Sequence, residues 1–159
     1  MAGQLALNLS TVQTYTAGGG ALSAKATGDV VGAGLTDLDL SPDGTTFFSA
    51  AGSRDRVEAF ASADLARRGA YTTRPRPNAV AVSADGTHLA TGALTTDAKD
   101  ILIYEDGGVT PVETVALDSG ETVAPRGLAW TNDQDRLFVV TQHNNQPEPA
   151  LEVVHHPVD

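Results

Sequence analysis

Short apolar alternations separated by tight polar turns run through most of this chain, and one unit of that kind recurs. In its clearest copy Leu38-Asp39-Leu40 leads into Ser41-Pro42-Asp43-Gly44 and then Thr45-Thr46-Phe47-Phe48-Ser49-Ala50. A second copy sets Val80-Ala81-Val82 before Ser83-Ala84-Asp85-Gly86 and the run Thr87 to Gly92. A third, worn copy reads Leu128-Ala129-Trp130, Thr131-Asn132-Asp133-Gln134, then Asp135 to Val140. An apolar alternation, an Asp-Gly-like turn and a second apolar run predict a β-hairpin each time. Pro at the second turn position and Gly at the fourth suit a type I turn. The turn acids Asp43, Asp85 and Asp133 stand 42 and 48 residues apart, the spacing of a four-stranded propeller blade.

The same reading predicts further strands at 57–61 and 66–73 in the first unit, at 79–83, 87–92, 100–105 and 109–117 in the second, and at 127–131, 136–141 and 150–155 in the third. Ahead of them Leu5, Leu7 and Leu9 alternate as a short strand, and Val12 to Ala26 reads as a hairpin around Gly18-Gly19-Gly20. That hairpin matches Ile101 to Val115, with Tyr15 in the place of Tyr104. Ser62 to Arg67 makes at most one turn, too short for a free-standing helix. The expected fold class is all-β: β-propeller blades, each a four-stranded antiparallel sheet, in an incomplete arc of about three blades. The parse is 1–34 as outer strands of an incomplete blade, 35–74 and 75–120 as blades, and 121–159 as an incomplete blade.

Ala79 to Gly86, His88 to Gly92 and Ile101 to Gly108 resemble the YVTN-type repeats of lactonase-like β-propellers. The resemblance covers the chain from about Leu35 onward and implies the propeller fold. It implies no particular activity, since such propellers serve as binding scaffolds, surface proteins and enzymes. No catalytic set of the family falls on numbered residues of this sequence. Closed rings have about four to eight blades. An arc of three is therefore either a segment of a longer propeller or one that covers its open ends by self-association.

Composition narrows the partners. Ten basic residues against twenty acidic ones give a formal charge of −10, which argues against a nucleic-acid or anionic-membrane surface. There is no cysteine, so thiolate catalysis, disulfides and zinc-thiolate sites are excluded. The first residues lack the basic and apolar regions of a secretion leader, which leaves the compartment undetermined. No run approaches the ~20 apolar residues of a membrane-spanning helix.

Candidate chemistry is sparse. Asp37 and Asp39 replace the small residues Ala79 and Ala81, and Gly127 and Ala129, on the presumed innermost strands. They are either a cation or polar-ligand site at the axis, or structural acids paired with Arg126 or Arg56, because a bare buried charge is costly. Arg74, Arg76 and Arg126, together with Asn78, lie in the segments leading into inner strands and could ring a channel mouth to hold a carboxylate or phosphate. The loop His143-Asn144-Asn145 is a candidate binding surface. His143, His155, His156 and Asp159 do not form a credible zinc set, since adjacent residues on a strand point oppositely. Asp97, Lys99 and Asp100 lack the ligand run of a calcium loop, so no cofactor is expected beyond weak calcium binding. The leading expectation is a non-catalytic propeller scaffold that binds a protein or glycan through its loops. The alternative is a lactonase-like or other hydrolase with a divalent cation near the axis.

Overall fold

The computed structural model of the protein describes residues 11–29, 34–51, 53–95, 100–143 and 148–158. The strand expected at Leu5 to Leu9 lies outside them. Among the described residues thirteen strands form four separate antiparallel sheets. A two-stranded hairpin, β1 (Thr11–Gly18) and β2 (Ala21–Asp29), comes first. The first blade is β3 (Leu35–Leu40), β4 (Thr46–Ala51), β5 (Arg56–Ala61) and β6 (Arg67–Thr72), paired in chain order. The second is β7 (Pro77–Val82), β8 (His88–Ala93), β9 (Ile101–Glu105) and β10 (Glu113–Val115), again paired in order. The third has β11 (Glu121–Trp130), β12 (Arg136–His143) and β13 (Ala150–His155). The architecture is an incomplete arc of about three propeller blades, with no helix among the described residues. Among the described residues no helix is long and apolar enough to cross a membrane.

Two strands differ from the expected spans. The fourth strand of the second blade is three residues long instead of covering 109–117, because Pro111 has no N–H to give to a ladder and residues 109–112 turn. The inner strand of the third blade begins at Glu121, not 127, and accommodates Pro125 in an irregularity between Val123 and Leu128. Matching irregularities fall between Leu35 and Asp37 and between Pro77 and Ala79, near the start of the other inner strands.

The turns close as their residues dictate. Gly44, Gly86 and Gln134 each donate their backbone N–H to the carbonyl three residues earlier, and all three have left-handed φ angles of 69°, 77° and 63°. Gly is the cheap residue there. Gln134 takes the third turn and reaches Asp85 of the neighbouring blade with its side chain.

Blades stack face to face through alternating side chains. Phe48, Ala50, Val57, Ala59 and Tyr71 of the first blade meet Val80, Leu89, Leu102 and Tyr104 of the second. The second blade's other face, Ala79, Ala81, Ala90, Ile101 and Ile103, meets Val123, Leu128, Leu137 and Val139 of the third. Contact there is close: a Cβ on Gly92 would lie 2.6 Å from Val123 Cγ1. On the first blade's remaining face Phe47, stacked on Phe60 at 5.1 Å, and Leu65 receive Val12 and Ala26 of the hairpin.

Candidate functional site

The candidate acids and arginines of the channel mouth sit on or beside the inner strands β3, β7 and β11. Period-two spacing puts Asp37 and Asp39 on the face of β3 that looks toward the second blade. Asp37 Oδ1 accepts the N–H of Leu38 at 2.9 Å while its Oδ2 accepts that of Val80 at 2.9 Å. Asp39 repeats the arrangement one step on, with Leu40 at 2.8 Å and Val82 at 2.7 Å. Each carboxylate thus ties its own strand to the equivalent position of the next blade. Burial pushes the Asp37 carboxyl above its usual range, against the two backbone donors and Arg126, which pull it down.

The expected pairing with arginine holds for one of the two named residues. Arg126 Nε lies 3.9 Å from Asp37 Oδ1, a loose contact by a side chain that is 79% exposed. Arg56 instead pairs with Glu58, which also takes Arg67 Nε at 2.6 Å. Glu58 is fully buried in the middle of β5, an ion triad that the sequence reading did not find. Its signal was an acid at an inward position of an otherwise apolar strand, flanked by Arg56 and by Arg67 on the neighbouring strand.

Asn78 is also a tie. It is 0% exposed, and its Nδ2 donates to the Val123 carbonyl of the third blade at 2.7 Å. Thr36, at the matching place in β3, donates to Ala50 and Pro77 carbonyls. Asn78 thus satisfies a backbone carbonyl between two blades, where an unpaired group would be costly, while its own Oδ1 is buried without a partner.

Arg76 and Arg126 are both exposed, and both have a φ of 59°. The Arg76 carbonyl accepts the N–H of Leu94, which fixes its backbone while the side chain projects. Arg74 is half-buried and close enough to Asp100 to lower the acid's pKa. Asp100 is buried and accepts the N–H of Leu117 at 2.9 Å, and its desolvation raises its pKa overall. Its expected loop companions Asp97 and Lys99 lie outside the described residues.

His143 is half-buried; its Nε2 lies 3.3 Å from the Ser119 carbonyl and packs on Gly120, where a Cβ would come within 2.6 Å. Asn144 and Asn145 lie outside the described residues. His156 pairs with Asp135 at 2.9 Å, and His155 ends β13. No group of three or more His, Cys, Asp or Glu side chains among the described residues is placed to hold a metal ion.

The turn acids are structural as well. Asp43 Oδ1 accepts from the Ser41 hydroxyl at 2.6 Å and the Thr45 N–H at 2.9 Å; Asp85 does the same with Ser83 and Thr87. Asp133 takes Thr131 and the Asp135 N–H. These donors hold all three carboxyls below the ordinary carboxylate range.

No known protein-family profile matches the chain, and no curated protein matches its sequence. Solved structures match its fold. One is a protein of unknown function from Desulfotomaculum acetoxidans, with a TM-score of 0.71 and 17% identity over 93% of this chain and 50% of that one. Another is a provisionally assigned 6-phosphogluconolactonase from Bacteroides uniformis, with a TM-score of 0.66 and 17% identity over 96% of this chain and 49% of that one. The chain spans about half the length of these structures.

Proposed function

We propose that the chain is a non-catalytic segment of a YVTN-type, lactonase-like propeller scaffold, and that it binds an acidic group of a protein or glycan at the rim of its inner strands. The observation that carries this reading is a division of labour. The carboxylates of the inner strands are engaged by backbone N–H groups, whereas Arg76, just ahead of β7, and Arg126, at the irregularity within β11, stand exposed. Guanidinium groups suit carboxylate or sulfate through paired hydrogen bonds.

Immobilised heparin and polyglutamate test it, as stand-ins for an acidic glycan and an acidic peptide. A protein of net charge −10 has no general reason to stay on either. Retention of the wild type on one of them at low salt, lost in Arg76→Ala/Arg126→Ala, is the expected result. Equal behaviour of wild type and variant overturns it.

The hydrolase alternative rests on the likeness to the Bacteroides protein, which at 17% identity concerns the fold. It requires Asp37 and Asp39 to give up backbone bonds to a cation. A saturable calcium-dependent rise in melting temperature, abolished by Asp37→Asn/Asp39→Asn, would favour it, since a ligand of the folded state must stabilise that state.

A further inference from the structure

We propose that the outer cleft between the first and second blades takes a short extended segment of another polypeptide. The segment adds as a strand to the open edge of β6 and sets a carboxylate on Arg68. This surface uses the outer strands, not the arginines of the inner ones. One wall is β6 itself, the last strand of its sheet. The Thr73 N–H bonds to the Asp55 carbonyl, so alternation makes Tyr71 and Gly69 the residues that bond to β5. The backbone groups of Ala70 and Thr72 then turn outward. Thr72 gives its outward carbonyl to the Tyr104 hydroxyl of the second blade. Among the described residues nothing bonds to the outward N–H and carbonyl of Ala70. The other wall is the turn after β9, and it is held in place. The Tyr71 hydroxyl donates to Asp106 Oδ1 at 3.2 Å and accepts the Gly107 N–H at 2.9 Å. Between the walls lies a cavity of about 360 Å³ lined by Arg68, Gly69, Ala70, Asp106 and Val109.

The cleft is open because of where the bulk sits. Phe48 pairs with Ala59 in the first blade, whereas the equivalent pair in the second is Ala90 with Ile103. The large side chain of the first blade therefore stands one strand further in. Ala59 and Gly69 are left to line the outer part, and a Cβ on Gly69 would meet open space. An extended peptide answers each feature. Its backbone carries the acceptor and the donor that complement Ala70. The side chains flanking the paired residue project over Gly69, beside Val109, which is 77% exposed. Arg68 sets the sign. Its Nη1 donates to the Thr46 hydroxyl at 2.6 Å, and it forms no ion pair among the described residues. A copy of β6 laid on the same edge would bring Arg67 and Arg68 against their own kind, which like charge opposes. An acidic strand gains there instead.

Selection of a displayed random peptide library on the wild-type chain tests this. Enrichment of Asp or Glu close to Val, Ile or Leu is the expected result. A selected peptide, synthesised with a fluorophore, is then followed by anisotropy. Arg68→Ala is expected to weaken its binding about tenfold or more, while far-UV circular dichroism keeps its β signature. Arg76→Ala/Arg126→Ala is expected to bind it as the wild type does. N-methylation of the peptide at the residue that pairs with Ala70 is expected to abolish binding, with the protein itself untouched. No enrichment overturns the proposal. So does a peptide that binds Arg68→Ala as tightly as wild type, or one that tolerates N-methylation at every position. Full displacement by free glutamate at the peptide's own concentration overturns it in favour of a small-acid site.

Discussion

Asp39 Oδ2 lies 2.7 Å from the backbone nitrogen of Val82, and the bond joins the innermost strands of two successive blades. With Asp37 on Val80 it forms a two-rung clasp between strands 43 residues apart in sequence. Charge-assisted bonds from a carboxylate to backbone N–H are worth about 1.5–3 kcal/mol each. Asp37→Ala, the more buried of the two, is expected to cost about 2 kcal/mol, read as a lowered midpoint in urea denaturation. Asp37→Asn, which keeps one acceptor, should cost less. An unchanged midpoint for the alanine variant would show the clasp to be idle.

Acid titration separates two classes of carboxylate. Asp43, Asp85 and Asp133 have folded pKa values below their ordinary one, so their stabilisation is complete above about pH 4–5 and fades as pH falls through the folded values. Asp37 and Asp100 are raised by burial, so they oppose folding as pH climbs from their ordinary value through the folded one. Melting temperature measured from pH 2 to pH 6 (about the carboxylate range) should therefore fall more gently at the acid end in Asp85→Ala than in the wild type. The opposite change in slope would contradict the turn geometry.

Gly92 is small because Val123 of the next blade stands against it. Gly92→Ala is expected to destabilise by about 1–3 kcal/mol through overpacking. Val123→Ala in the same chain should recover part of that loss, a non-additivity that a double-mutant cycle in denaturant would measure.

The Glu58 triad makes a different prediction. Removing the acid strands Arg56 and Arg67, but their side chains are 35% and 50% exposed and can turn to water. Glu58→Ala is therefore expected to cost about 2 kcal/mol, less than the ~3–5 kcal/mol of a fully enclosed pair. Chemical denaturation of the variant decides between the two.

Tyr104 is buried, and burial pushes its phenol up to about 12. Burial raises Tyr71 as well, so ultraviolet titration of the folded protein should show two tyrosines ionising above the usual value near 10. Tyr104→Phe should remove one of these two late ionisations and lower stability by about 1 kcal/mol for the lost bond to Thr72.

Most strands were legible because their cause is local. The apolar run around Phe47 to Ala50 and turn chemistry at Ser41-Pro42-Asp43-Gly44 act on contiguous residues, so reading them requires no knowledge of neighbours. The misjudged spans have a cause of the same scale that pulls the other way. Pro125 reads as a loop residue, yet the β11 backbone bulges around it and pairing resumes at Leu128.

The roles of the polar residues could not be read that way. Asp37 and Asp39 stood out in the sequence as acids where the other copies have small residues, but whether they face a ligand or a neighbouring strand depends on how the blades stack. The same holds for Asn78, which looks like a surface amide beside Pro77 and is buried on Val123, and for Glu58, whose second partner comes from the next strand. By itself the sequence determined the repeat, the hairpins and the all-β class, because side-chain alternation and turn preference are properties of the local backbone. Only the tertiary structure decided which acids hold blades together and which arginines face outward, because a buried carboxylate takes whichever donor the packing brings within about 3 Å.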